Sequence, residues 1–103
     1  MLNSLVMETK PRLQKIAFKA SAYPNPAGDQ VNLEFSLPEK SLMIISLLNI
    51  NGQLLKTISN SVFEAGNHQL NLDTSGNPDG IYWIRFQSKT NIETIKLIKT
   101  KNN

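Results

Sequence analysis

Residues 30–58 read QVNLEFSLPEKSLMIISLLNINGQLLKTI, and this stretch decides the fold class. Val31, Leu33, Phe35 and Leu37 alternate with Asn32, Glu34 and Ser36, which is the period-2 pattern of a strand with one buried face. Leu42 to Leu48 is a nearly continuous apolar run, as expected of a central strand covered on both faces. Asn51-Gly52 then separates that run from Leu54-Leu55-Lys56-Thr57-Ile58. It is the strongest short hairpin signal, because a type I′ turn needs positive φ at both central residues. The spacing is that of strands and not of helices.

The same pattern extends in both directions. Upstream, Ile16, Phe18, Ala20 and Ala22 alternate with Lys19 and Ser21. Downstream, Gln69 to Asp73 places Leu70 and Leu72 on one side, and Ile81 to Gln87 sets Tyr82, Ile84 and Phe86 against Ile81, Trp83 and Arg85. A last segment runs from Ile92 to Ile98. Gly66, within Ala65-Gly66-Asn67, and Gly80, after Asp79, supply positive-φ positions just before strands. Lys89-Thr90-Asn91 makes a short loop. Seven short strands with no helix between them predict an antiparallel sandwich, since parallel pairing would need crossover helices that the chain has no room for. The expected core is Val31, Leu33, Phe35, Ile45, Leu47, Leu70, Leu72, Tyr82, Ile84 and Phe86.

The chain has 103 residues, enough for one domain. It has no cysteine, which excludes a disulfide scaffold, thiol catalysis and cysteine-ligated metal. The net charge of +3 is unevenly spread. Residues 1–20 hold four basic side chains against Glu8, and the last eight residues hold Lys96, Lys99 and Lys101. Between them, four basic residues face seven acids, so the body is mildly acidic. With aromatics at core-like spacing and no basic face, nucleic-acid binding is not expected. No run approaches the ~20 apolar residues of a membrane span. Leu5-Val6-Met7 is the only continuous apolar run in residues 1–20, too short for a signal peptide. If the protein acts outside the cytoplasm, its entry signal is expected on a preceding segment. Residues 1–15 carry Pro11 and sustain no amphipathic period, so residues 1–17 read as a linker or residual upstream segment. This arm is expected to be mobile and to be cut first by trypsin, foremost after Lys15, since Pro11 blocks the bond after Lys10.

Chemistry-bearing constellations are scarce. Asp73, Ser75, Asn77 and Asp79 imitate the alternate oxygen ligands of a calcium loop, but Pro78 and Ile84 stand where the Gly and Glu of an EF-hand belong. A loop of turn formers is the expectation, with no metal and no cofactor. His68 is the only histidine, and no serine or acid is singled out as its partner. The carboxylates form no pair for acid–base work, so no catalytic residue is expected. Tyr82 should face the core. Trp83 should then lie on the other face or under a loop, where it could stack on a sugar.

At Tyr23-Pro24-Asn25-Pro26-Ala27 the sequence carries a resemblance. Pro24, Asn25, Pro26 and Asp29, then Asn51-Gly52-Gln53, Ala65-Gly66, Gly80-Ile81-Tyr82 and Lys96-Leu97-Ile98-Lys99 occur in that order. Together they resemble the type A C-terminal sorting domain of proteins exported by the type IX secretion system, over roughly residues 18–101. The resemblance implies an immunoglobulin-like sandwich over residues 18–103, at the end of a larger cargo. It implies passage by way of the periplasm and an outer-membrane translocon to the cell surface or beyond, and removal by a sortase-like surface protease. The motif residues it implies are Pro24, Asn25, Pro26, Gly52, Gly66, Gly80, Tyr82, Lys96 and Lys99. From the residues alone each has a second reading: a stiff bend at the prolines, turns at the glycines, and lysines that protect an exposed edge strand. The alternative function is an immunoglobulin-like accessory module that binds carbohydrate or a surface protein.

Overall fold

The computed structural model describes residues 18–100, so the upstream segment 1–17 with its expected trypsin sites, and Lys101, lie outside the described residues. Seven strands follow in order: β1 Lys19–Tyr23, β2 Gln30–Leu37, β3 Ser41–Asn49, β4 Leu54–Phe63, β5 Gly66–Asp73, β6 Gly80–Gln87 and β7 Ile92–Lys99. They form a three-stranded sheet in the order β1-β2-β5 and a four-stranded sheet in the order β4-β3-β6-β7. Every pairing between strands is antiparallel. The result is the expected immunoglobulin-like β-sandwich.

Alternation dictates the interior. Val31, Leu33, Phe35 and Leu37 of β2 face Met43, Ile45 and Leu47 of β3 and Tyr82, Ile84 and Phe86 of β6 across one core. Phe35 sits at its centre, edge-on to Phe63 at 5.1 Å and tilted against Phe86 at 6.0 Å. Nine of the ten expected core residues are buried; Leu70 is only half-buried, though packed against the rest. Its strand β5 is an edge, so one flank lacks a neighbour to cover it.

Two local expectations change. The β3–β4 hairpin is not a two-residue type I′ turn. Gly52 N donates to the Asn49 carbonyl and Asn49 N donates to the Gln53 carbonyl, both at 2.9 Å. This is a three-residue loop with Gly52 at φ +87°, the glycine-bulge form, tied by the Asn49 side chain accepting from Asn51 N and Gln53 N. β3 is not covered on both faces along its whole length either. On its outer side Ser46 and Leu48 are buried as expected, but Leu42 remains 40% exposed. β4 also outruns the apolar segment that predicted it, continuing through Ser59-Asn60-Ser61 because backbone pairing with β3 continues there.

Candidate functional site

The chain leaves β1 at Tyr23 and bends through Pro24-Asn25-Pro26, with cis peptide bonds at Tyr23–Pro24 and Asn25–Pro26. Neither proline has an N–H to offer a ladder, so the bend attaches to β7 through a side chain instead. Asn25 Nδ2 donates to the Lys96 carbonyl at 2.7 Å, and Asn25 Oδ1 accepts from Ile98 N at 3.0 Å. One amide side chain thus fills the place of a strand residue. Ala27 resumes backbone pairing, donating to the Ile98 carbonyl at 2.7 Å and accepting from Thr100 N at 2.9 Å. β7 is the last strand of its sheet, and this segment covers its outer edge along these residues.

Lys99 locks the arrangement from inside. It was expected on an exposed edge, but it is only 4% exposed. Strand alternation explains the difference: Lys96 and Lys99 are three apart, so they face opposite sides, and Lys99 shares the inward side with buried Leu97. Its ammonium donates to the Thr74 carbonyl at 2.8 Å and the Asn77 carbonyl at 2.9 Å. Asp29 lies 3.8 Å away, but its carboxylate is largely exposed, so that pair contributes little and the two carbonyls carry the anchoring. Thr74 links back to the bend, donating from N to the Asp29 carbonyl and from Oγ1 to the Gly28 carbonyl. The loop between β5 and β6 therefore wraps an ammonium with two of its backbone carbonyls. Asp73 opens this loop as a turn former: its carboxylate accepts from Ser75 N at 2.9 Å, which holds the carboxyl below its ordinary pKa. Among the described residues, no group of three or more His, Cys, Asp or Glu could hold a metal ion.

Replacing Lys99 by Met keeps the apolar stem and removes three donors, leaving the Asn77 carbonyl without a partner and the Thr74 carbonyl with the Asn77 N–H alone. The expected cost is roughly 2–3 kcal/mol, from two hydrogen bonds to a charged donor lost and one acceptor left unsatisfied. Urea unfolding of Lys99→Met beside Lys96→Met checks this, with the exposed Lys96 expected to be nearly neutral.

Most of the residues that carry the resemblance meet at one end of the sandwich. Gly80 pairs with Lys99 and Tyr82 with Leu97 in the β6–β7 register. Tyr82 is buried, and its hydroxyl donates to the Pro78 carbonyl within the same loop. The Gly52 turn belongs to this end too, because Asn49 before it pairs with Tyr82. Gly66, at φ +118°, stands at the opposite end, where it pairs with Leu37 as the chain changes sheets. Thr74 and Asn77 were missed as partners of Lys99. They contribute backbone carbonyls, which no sequence pattern marks.

The remaining candidates resolve as packing residues. His68 is half-buried, 5.3 Å from Phe35 and 5.0 Å from Phe63 between ring centroids, with Nε2 2.7 Å from the Glu64 carbonyl. Trp83 is half-buried on the outer face of the four-stranded sheet, and its indole N–H donates to the Ile50 carbonyl at 3.3 Å, under the β3–β4 loop. No helix among the described residues is long and apolar enough to cross a membrane.

Fold and site together define an immunoglobulin-like sandwich whose final strand is clasped by the bend that follows its first. Residues 21–100 match the family described as the secretion system C-terminal sorting domain. That range is most of the chain, and the chain belongs to this family. No curated protein matches it. Membership makes the domain a C-terminal secretion and sorting signal of the type IX system, which implies export to the surface or secretion, contact with the secretion machinery, and an upstream cargo. Such domains are in general non-catalytic.

Proposed function

We propose that this domain acts as a folded, non-catalytic signal: it is recognised by the outer-membrane translocon after the cargo enters the periplasm, and a sortase-like surface protease then removes it. The supporting observation is the clasp. Pro24, Asn25, Pro26, Gly80, Tyr82 and Lys99 are scattered along the chain, and they become neighbours only when the sandwich has formed. A receptor that reads this end therefore reads completed folding, because an unfolded chain never presents the residues together. No cofactor enters this role. The rival reading, an accessory module for carbohydrate, draws less support from the geometry, since Trp83 is half-buried and its N–H is already engaged.

Removal by the protease is tested by mapping the C-terminus of a reporter carried to the surface by the full chain. The expected product ends ahead of Lys19 and lacks the sandwich. Surface reporter that retains the intact domain contradicts the processing step.

A further inference from the structure

The outer faces of the two sheets differ in character. That of the three-stranded sheet is polar: Tyr23 and Gln69 both donate to the Glu34 carboxylate, and Asn71 donates to Asn32. That of the four-stranded sheet is apolar, although no further strand covers it among the described residues. Leu42 pairs with Val62 across β3 and β4, with exposures of 40% and 59%. Leu54 is 58% exposed at the other end of β4, and Ile92 is 58% exposed on β7. In a sandwich with one core, the outer side of an antiparallel sheet is ordinarily solvated and polar. These residues lie toward the two ends of the face, on either side of the row Thr57, Ser46, Arg85 and Thr94, and exposed apolar surface on such a side marks an interaction site.

The charges on this face indicate what kind of partner fits. Arg85 lies mid-sheet, between Ser46 and Thr94 in the registers, and its buried Nε has no hydrogen-bond partner. Lys96 follows on β7 beside Trp83. The four strands contain a single acid, Glu93, and it pairs with inward-facing Phe86, on the other side of the sheet. The face thus combines apolar surface with two basic side chains, Arg85 and Lys96, and its four strands turn no carboxylate toward it. A guanidinium fork on such a face matches a carboxylate in two parallel hydrogen bonds.

We propose that the outer face of the four-stranded sheet is the docking surface for an apolar protein partner, a component of the export machinery that brings a carboxylate to Arg85. This rests on the sorting reading. A second copy of the chain is disfavoured as occupant, because the same face on the copy offers Arg85 no acid.

The test uses the full 103-residue chain behind a signal peptide and fluorescent reporter, in a host with the type IX system. Val62→Lys and Arg85→Glu should each reduce surface display by about tenfold or more, as for loss of an interface anchor. Asn71→Arg on the polar face should not. Val62 is exposed, so its variant should fold normally, and an unchanged thermal melt verifies this. If the unaltered chain and both variants are displayed equally, the docking face is overturned while the sorting reading survives. If the unaltered chain itself fails to leave the periplasm, the sorting reading falls and this proposal with it. Binding of the purified chain to phosphatidylglycerol vesicles that Arg85→Glu abolishes would assign the face to lipid. A dimer in sedimentation that Val62→Lys abolishes would assign it to a second copy. Either result overturns the proposal.

Discussion

Phe86→Ala is expected to destabilise the domain by about 3–5 kcal/mol, the cost of deleting a fully buried aromatic ring from a core that collapses only partly around the void. Phe86 has no exposed surface, contacts Phe35, and lies on β6 at the centre of the four-stranded sheet. A domain of this size is held by roughly 4–12 kcal/mol at typical per-residue stability, so the loss removes a large fraction of the total. Urea unfolding followed by near-ultraviolet circular dichroism reads the effect directly. A cost below about 1 kcal/mol would mean that the core is not packed around Phe86 as described.

Removing Lys96 to Asn103 should abolish export. The deletion takes Leu97 from the core, the Lys99 anchor from the loop between β5 and β6, and the β7 partners of Asn25 and Ala27. It also strips much of the outer ladder from β6, leaving part of that strand as an unpaired edge. A fluorescent reporter carried by the truncated chain is expected to stay in the periplasm, while the complete chain carries it to the surface. Equal surface display of the two would rule out any need for the final strand.

The strands were legible in the sequence because burial on one face forces a period of two, and β2 shows that period without interruption. Other features depended on the partner strand and left no local trace. Ser59 to Phe63 joins β4 through backbone pairing to β3, and its polar residues carry no strand signal of their own. Asn51-Gly52 marked a hairpin correctly, but the turn type was decided by Asn49, whose side chain accepts from two loop amides and favours the longer loop. Lys99 is the clearest case. A lysine near the end of an edge strand is usually a solvated guard, and only its separation of three from Lys96 hinted that the two face opposite ways. What makes burial of Lys99 tolerable is a pair of backbone carbonyls more than twenty residues away. The Pro24-Asn25-Pro26 motif announced a bend, but its attachment to β7 through the Asn25 amide became visible only with the fold.

The central claim is that this domain is a type IX sorting signal, and one measurement tests it most directly. The full chain, behind a signal peptide and a fluorescent reporter, is expressed in a type IX host and in the same host lacking the translocon. The account predicts reporter at the surface or in the medium in the first strain, and in the periplasm in the second. The same distribution in both strains would contradict it.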